Sequence, residues 1–249
     1  MRGRSRSAWV TGASQGIGRA LTIALAEAGV RVAASARSAG ELYRLESEHP
    51  LITSHPLDVT DAEAAAEVLE AIESTQGPVD LGVLGAGIYE PIPGGIADPS
   101  VFRRHMEINY LGVVNVLMPL LERMRTRGAG QVAIMASVAG YRGLPKAAPY
   151  GPTKAALINL AETLRTEFGG TGVDIRLVNP GFVSTRLTAK NDFTMPAIMN
   201  PDQAADHIIR GLEGTGFEIA FPRRFVVWLK IARVLPYRLW LPIARRMVG

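Results

Sequence analysis

The sequence contains no cysteine and only four histidines among its 249 residues. The absence of thiols excludes a disulfide framework, a thiolate metal site and a cysteine nucleophile. The histidines, His49, His55, His105 and His207, do not show the short spacings typical of metal ligands. We therefore expect this protein to hold no metal.

Long uncharged apolar runs are missing as well. The apolar stretch that begins at Ala8 follows Arg2, Arg4 and Arg6, and it is too short for the hydrophobic part of a secretory signal. We therefore expect a cytoplasmic protein. With 47% hydrophobic residues the chain can bury a large core, and its length predicts one globular domain.

Charges are unevenly spread along the chain. The formal net charge is +4, but the first ten residues carry three arginines, and residues 218–249 carry seven basic side chains and one acidic one. The part between these ends is acidic overall, which argues against a nucleic-acid-binding body. We expect no nucleic-acid partner and a basic excess in the terminal segments.

A glycine-rich stretch follows the first apolar run. The sequence TGASQGIG at 11–18 lies between a predicted strand and an apolar-periodic helix, and a second predicted strand, Val30 to Ser35, comes next. Glycines allow a tight turn and a close approach to a ligand, and the following helix N-terminus suits a pyrophosphate. This order favours a nucleotide-binding βαβ unit over a plain turn.

The second predicted strand ends in Ala36 and Arg37, nineteen residues after Gly18. A dinucleotide-binding fold meets the adenosine ribose there, and a carboxylate at this point would bind its 2′-hydroxyl. A guanidinium suits a 2′-phosphate instead, through forked, charge-assisted hydrogen bonds. The sequence therefore predicts NADP(H) in preference to NAD(H), with a solvated strand-end arginine as the alternative.

Further apolar segments predict strands at 51–56, 79–84, 131–136 and 173–178, separated by helical patterns. The alternation predicts an α/β fold, a Rossmann-like doubly wound parallel sheet with helices on both faces. Ligands bind such sheets at the carboxyl ends of the strands, where Asp58, Ser137 and Pro180 are expected. Within a long helix from about Val101 to Met124, Pro119 predicts a kink or a break.

Tyr150 and Lys154 are four residues apart and share one face of a predicted helix. Pro152 is tolerated only in a first turn, so the helix is expected to begin at about Pro149 or Tyr150. A cation near a phenol favours its ionised form, and Lys154 is therefore predicted to lower the pKa of Tyr150. Taken alone, this spacing is a common coincidence.

Several motifs together resemble the short-chain dehydrogenase/reductase family, in its compact single-domain form, over about residues 8 to 215. They are TGASQGIG at 11–18, Asp58-Val59, Asn109, Ser137, Y-x-x-x-K at 150–154, and Asn179-Pro180-Gly181 with Thr185. The resemblance implies a catalytic set of Asn109, Ser137, Tyr150 and Lys154. It also implies a glycine loop on the pyrophosphate and a segment around the nicotinamide from Pro180 to Thr185.

With the resemblance, the expected cofactor-binding residues extend from the glycine loop to the nicotinamide segment. They are Gly12, Ser14, Gln15, Gly16, Ile17, Gly18, Arg37, Asp58, Val59, Ala86, Gly87, Tyr150, Lys154, Pro180, Gly181, Val183 and Thr185. In the implied mechanism Tyr150 exchanges a proton with the substrate oxygen and Ser137 hydrogen-bonds that oxygen. Lys154 binds the nicotinamide ribose, and Asn109 holds a water that links Lys154 to solvent.

Two positions depart from the family pattern. Leu84-Gly85 stands where the family has two asparagines, which brace neighbouring strands, so cofactor affinity or local rigidity is expected to change. Gln15 stands where many NADP-preferring relatives have a basic residue. Arg37 is then expected to hold the 2′-phosphate largely alone.

These features predict an NADP(H)-dependent oxidoreductase that interconverts a carbonyl and a secondary alcohol, and that forms a homo-oligomer, a dimer or a tetramer. The apolar segment 186–199, with Phe193, Met195 and Ile198, is interpreted as a lid for an apolar or lipid-like substrate, although a core-packed segment would look similar. The alternatives are an NAD-linked alcohol dehydrogenase and a non-catalytic dinucleotide-binding scaffold or sensor.

The last segment, 222–249, is interpreted as a basic amphipathic extension of a Rossmann-fold domain that covers 1–221. Its pattern predicts two short amphipathic helices separated by Pro236. Basic groups beside Trp228 and Trp240 suit a segment that lies in the headgroup region of a membrane. The uncharged apolar runs of this segment are too short to cross a membrane. A tail packed over the substrate cleft, or in a dimer interface, is the alternative.

Overall fold

The computed structural model describes residues 7–247, which form a parallel sheet covered by helices. The strands of this part of the chain are β1 Ser7–Thr11, β2 Arg31–Ser35, β3 Ile52–Ser54, β4 Leu81–Leu84, β5 Gly130–Met135, β6 Val173–Pro180 and β7 Glu218–Phe221. The sheet order is β3-β2-β1-β4-β5-β6-β7, and every neighbouring pair is parallel. The predicted Rossmann-like fold is confirmed.

Helices connect the strands in the described residues. They are α1 Gly16–Glu27, α2 Ala39–Glu48, α3 Ala62–Gln76, α4 Pro99–Met106, α5 Gly112–Arg127, α6 Tyr150–Glu167, α7 Pro201–Glu213, α8 Arg223–Val234 and α9 Tyr237–Arg245. The chain order changes direction across the sheet between β1 and β4, and the carboxyl ends of these two strands therefore border a crevice.

Two apolar cores lie on opposite faces of the sheet. Successive residues of β1 point to different sides, so Trp9 packs in the core with α3, α5 and α6, whereas Ala8 and Val10 pack in the core with α1, α2 and α7. Both faces of the strands are thus buried, which is why each strand reads as a continuous apolar run.

The predicted helix from 101 to 124 is interrupted, but not at Pro119. A π-helical turn, Glu107–Leu111, separates α4 from α5, and Pro119 lies inside a continuous α5. The wide turn carries the buried Asn109. Its side-chain amide accepts a hydrogen bond from Ile88 N and donates one to Ile88 O. The π-helical turn therefore coincides with the tertiary contacts of Asn109. It does not coincide with Pro119, which lacks a backbone N–H.

The last part of the chain forms two helices, α8 and α9, with Pro236 between them. Phe225, Val226 and Leu229 of α8 belong to the same core as the sheet, so packing continues across the boundary predicted at residue 221. Trp240 is buried in a smaller cluster at α9. Among residues 7–247, no helix is long and apolar enough to cross a membrane.

Arg142 fastens the two final helices to the loop before α6. Its guanidinium donates hydrogen bonds to Ala232 O and, at 2.7 Å, to Leu235 O, at the carboxyl end of α8. It also lies 5.2 Å from the ring centroid of Trp240. A cation at a helix carboxyl end interacts favourably with the helix dipole, and its position beside an indole adds a cation–π contact.

Candidate active site

A cleft of about 380 Å³ opens at the carboxyl ends of the strands, a volume typical of small-molecule sites. Every residue predicted to bind the cofactor lines it, from Gly12 on β1 to Thr185 after β6. Ser137, Tyr150 and Lys154 of the predicted catalytic set line it as well, and Asn109 lies behind its wall.

The glycine loop has the backbone geometry of a close-approach turn. Gly12 and Gly16 have φ angles of 73° and 56°, which favour glycine. A Cβ on Gly12 would lie 2.7 Å from Gly85 O, and one on Gly18 would collide with Gly12 O. Helix α1 begins at Gly16 without a side-chain cap or an acidic residue in its first turn, so its N-terminal N–H groups suit an anion in the cleft.

Arg37 lines the cleft at the end of β2, next to Ala36 and Ser38. Asp58, at the next strand end, accepts hydrogen bonds from the N–H and hydroxyl of Thr60 at 3.0 and 2.8 Å, both on Oδ1. These bonds, with a contribution from Arg37, lower the pKa of Asp58. Asp61 caps α3 by accepting from Ala64 N, which leaves Asp58 at the cleft.

Tyr150 is the first residue of α6, and Lys154 lies one turn further along. The Lys154 ammonium donates to Met135 O at 2.9 Å and lies 5.6 Å from the ring centroid of Tyr150. Ser137 lies two residues after the end of β5, and its hydroxyl accepts from Ala139 N at 3.1 Å. The three side chains thus meet where β5 and α6 border the cleft.

Burial controls the protonation of this pair. It raises the pKa of Tyr150 to about 12, and a hydrogen bond with Ser137 opposes this shift only in part. Burial also lowers the pKa of Lys154 to about 8. Desolvation of the phenolate is the largest effect on Tyr150, so its net pKa is raised, and a lowering contribution from Lys154 stays a prediction. At neutral pH the phenol is protonated and the lysine is mostly charged.

Asn109 is fully buried, and its side chain bridges two parts of the site wall. Its Oδ1 accepts from Ile88 N at 2.7 Å, and its Nδ2 donates to Ile88 O at 2.9 Å and to Thr153 Oγ1 at 3.2 Å. A Cβ on Gly87 would lie 3.1 Å from Asn109 Oδ1 and 3.9 Å from Lys154 Nζ. Asn109 therefore braces the chain after β4 against α6, directly beside Lys154.

The Leu84-Gly85 departure is accommodated by two neighbours. Leu84 is buried in the core, and the hydroxyl of Thr11 accepts from Gly85 N at 3.1 Å. The Met135 side chain lies 3.4 Å from the position of a Cβ on Gly85. Thr11 and Met135 thus brace the ends of β1 and β4 here.

Some residues of the cleft were absent from the sequence-based prediction. They are Thr11, Leu21, Ala36, Ser38, Glu41, Leu57, Val83, Gly85, Ile88, Ile108, Met135, Ala136, Arg186, Leu187 and Thr188. Glu41 and Arg186 are the charged members, and neither belongs to a motif. Arg186 begins the segment that the sequence analysis interprets as a lid, whereas Glu41 is brought to the cleft by the folding of α2.

The sheet order, the glycine loop and the Ser137, Tyr150 and Lys154 group define an oxidoreductase of the Rossmann-like class. The family profile described as short chain dehydrogenase matches residues 6–195, and the chain belongs to this family.

Similar proteins cover most of the chain. An uncharacterized oxidoreductase of Myxococcus xanthus is 37% identical over 246 residues, which are 97% of both chains. An acetoacetyl-CoA reductase of Rhizobium meliloti is 31% identical over 74% of this chain and 76% of its own. The crystal structure of a short chain dehydrogenase from Burkholderia cenocepacia in complex with NADP is 25% identical, with a TM-score of 0.85 over the full length of both chains.

Proposed function

We propose that this protein is an NADP(H)-dependent oxidoreductase that interconverts a carbonyl and a secondary alcohol. The observation that carries this proposal is that the half-buried phenol of Tyr150 meets Ser137 and Lys154 in the cleft that the glycine loop borders. The bound cofactor would supply the hydride, which the side chains of the protein cannot.

The residues present fit a dinucleotide. The glycines at 12, 16 and 18 leave room for a close backbone approach, and the uncapped N-terminus of α1 suits the pyrophosphate. Arg37 suits a 2′-phosphate, since the residue beside it is Ala36 and carries no carboxylate. The NADP in the Burkholderia relative supports the same choice for this chain. NAD-linked alcohol oxidation is the alternative.

In the proposed reaction Tyr150 donates its hydroxyl proton to the substrate oxygen, and Ser137 hydrogen-bonds the same oxygen. A phenol whose pKa is about 12 remains protonated at neutral pH, which suits proton donation and hence reduction. The ammonium of Lys154 beside the ring stabilises the phenolate that this transfer leaves. Asn109 supports this mechanism because it braces the cleft wall beside Lys154. It is also proposed to hold a water that links Lys154 to solvent.

An apolar or lipid-like carbonyl compound is the proposed substrate. Phe193 of segment 186–199 packs on Phe182 with ring centroids 5.8 Å apart, and Phe182 packs on Phe225 of α8 at 5.7 Å. This aromatic row next to the nicotinamide segment suits an apolar group. A reductase of acetoacetyl-CoA among the relatives supports an acyl thioester as one candidate.

The test is a screen for NADPH consumption with apolar ketones, aldehydes and acyl thioesters, repeated with NADH. We expect turnover with at least one apolar carbonyl and a higher kcat/KM for NADPH than for NADH. Binding of both cofactors without turnover of any compound would instead favour a non-catalytic scaffold or sensor. A preference for NADH would favour an NAD-linked alcohol dehydrogenase.

We also propose a cytoplasmic protein that forms a homo-oligomer, a dimer or a tetramer. Light scattering during size-exclusion chromatography tests the assembly, and a single monomeric peak at micromolar concentration would contradict it.

The outer face of α8 and α9 is proposed to contact an anionic membrane surface. Large apolar side chains of these two helices are exposed, namely Val227, Trp228, Ile231, Val234, Leu239, Leu241 and Ile243. All charged side chains from 219 to 247 are basic. Exposed apolar groups interleaved with cations suit the headgroup region of anionic lipid, while the inner faces of both helices pack on the protein.

Vesicle co-sedimentation of the full chain tests this contact. We expect binding to anionic vesicles that weakens with salt, and loss of binding in Ile231→Asp and Leu241→Asp. Ile96→Asp is the matched control, because Ile96 is 90% exposed on a different part of the surface. Equal sedimentation of all variants would refute a membrane surface, and a change of assembly state in Ile231→Asp without lipid binding would assign the face to a second copy.

A further inference from the structure

Tyr89, in the chain after β4, contacts the reactive phenol directly. The ring centroids of Tyr89 and Tyr150 lie 5.1 Å apart, with the planes at 73°, an edge-to-face arrangement. The hydroxyl of Tyr89 donates to Asn191 Oδ1 at 2.7 Å. One side chain thus joins Tyr150 to segment 186–199.

Two further contacts hold the same part of the segment. The ammonium of Lys190 donates to Tyr89 O at 3.0 Å. Lys146, in the loop before α6, forms an ion pair with Asp192, and its own carbonyl accepts from Ile92 N at 2.9 Å. Three successive residues, 190–192, are therefore held by Tyr89 and Lys146.

The ends of the segment are fixed in a different way. Ser184 N donates to Met199 O at 2.8 Å, and Met199 N donates to Phe182 O at 3.0 Å. These backbone hydrogen bonds join the two ends of the segment. Between these ends the only regular structure is the short turn Thr188–Lys190. A loop with a fixed base and a middle held mainly by side chains can open without disturbing the sheet.

We propose that Tyr89 is a positioning residue that couples closure of segment 186–199 to the orientation of Tyr150. The inference rests on the proposed function in that Tyr150 must be the proton donor. When the segment is closed, the Asn191 hydrogen bond fixes the Tyr89 ring, and this ring limits the rotation of Tyr150. Opening of the segment for substrate entry or product release breaks the bond and frees both rings.

Limited proteolysis of the full chain tests the closure without relying on activity. Trypsin can cut after Arg186 and Lys190, and both sites lie in the segment. Tyr89→Phe keeps the ring and removes the donor, so we expect cleavage about fivefold faster, as for loss of one neutral hydrogen bond. Asn191→Ala should give the same increase, and the double variant should be no faster than either single one.

Tyr43→Phe is the matched control, because Tyr43 is 57% exposed on α2 and should leave the cleavage rate unchanged. Unchanged cleavage in Tyr89→Phe, or fully additive effects in the double variant, would overturn the proposed contact. This outcome does not depend on turnover, so it is distinguishable from a failure of the proposed function.

Steady-state kinetics tests the coupling to Tyr150. Tyr89→Phe should raise KM about fivefold and lower kcat by up to about fivefold, because the ring still packs on Tyr150 but the hydrogen bond that fixes it is lost. Tyr89→Leu also removes the ring edge and should lower kcat about tenfold or more. Equal kcat values in the two variants, at equal Tm, would show that the ring does not position the phenol.

Discussion

Replacement of Tyr150 by phenylalanine removes one oxygen from the centre of the site. The ring keeps its packing on Tyr89, and Lys154 keeps its hydrogen bond to Met135 O. The change therefore isolates the exchangeable proton. The hydrogen bond between Tyr150 and Ser137 is lost with it.

The expected effects of Tyr150→Phe differ widely in size. Loss of a general acid lowers kcat by roughly 10²–10⁴-fold, which corresponds to about 3–5 kcal/mol in the barrier. Loss of one hydrogen bond costs about 1 kcal/mol, so the affinity for NADPH should change less than tenfold. The same figure shifts Tm by only about 2–4 °C in a chain of this length.

Three measurements separate these effects: kcat with the best substrate of the screen, the dissociation constant of NADPH by fluorescence, and Tm. Tyr43→Phe on the exposed face of α2 is the control and should behave as the wild type. A Tyr150→Phe rate within about threefold of the wild type would refute the proton-donor role. A parallel collapse of NADPH binding and Tm would show instead that the hydroxyl holds the fold.

Three further predictions concern other parts of the molecule. Arg37→Ala should lower kcat/KM for NADPH by about 10–100-fold and leave NADH nearly unchanged, since charge-assisted hydrogen bonds contribute about 1.5–3 kcal/mol; Arg44→Ala on α2 is the control, and equal losses for both cofactors would contradict the assignment. Because the pKa of Lys154 is lowered to about 8, its charge is lost as the pH rises through that value, and kcat for reduction should fall above it in a pH–rate profile; a flat rate to about pH 10 would exclude the cation. Trp240→Ala should lower the free energy of unfolding by about 3–5 kcal/mol in a denaturant titration, whereas the exposed Leu239→Ala should change it by less than about 0.5 kcal/mol, and similar small changes in both would show that α9 packs only weakly.

The last helices show how much of the chain a local pattern can assign. The spacing of apolar residues and Pro236 predicted two helices from the sequence. The same spacing left their location open, because an amphipathic face suits a membrane, a partner or the protein itself. Arg142, which lies about ninety positions earlier and binds the carboxyl end of α8, belongs to no motif and was found only in the folded chain.

The elements that the sequence predicted are those set by local chemistry. Glycines at 12, 16 and 18, the period of the apolar strands and the four-residue spacing of Tyr150 and Lys154 act within one turn or one βαβ unit. The strand β7 was not predicted from the sequence, and the folded chain shows it paired in parallel with β6 at the edge of the sheet.

Tertiary structure decided the properties that depend on distant residues. Burial, which sums contributions from the whole fold, raised the pKa of Tyr150 although its nearest cation in sequence favours the opposite shift. The helix around residues 101–124 contains a π-helical turn at Asn109, whose side chain binds Ile88 across the site, whereas the sequence alone predicted an irregularity at Pro119. Tyr89 meets Tyr150 only because β4 ends and α6 begins at the same edge of the sheet. Local spacing therefore specified the candidate reactive groups, and long-range packing specified the direction of their pKa shifts and their neighbours.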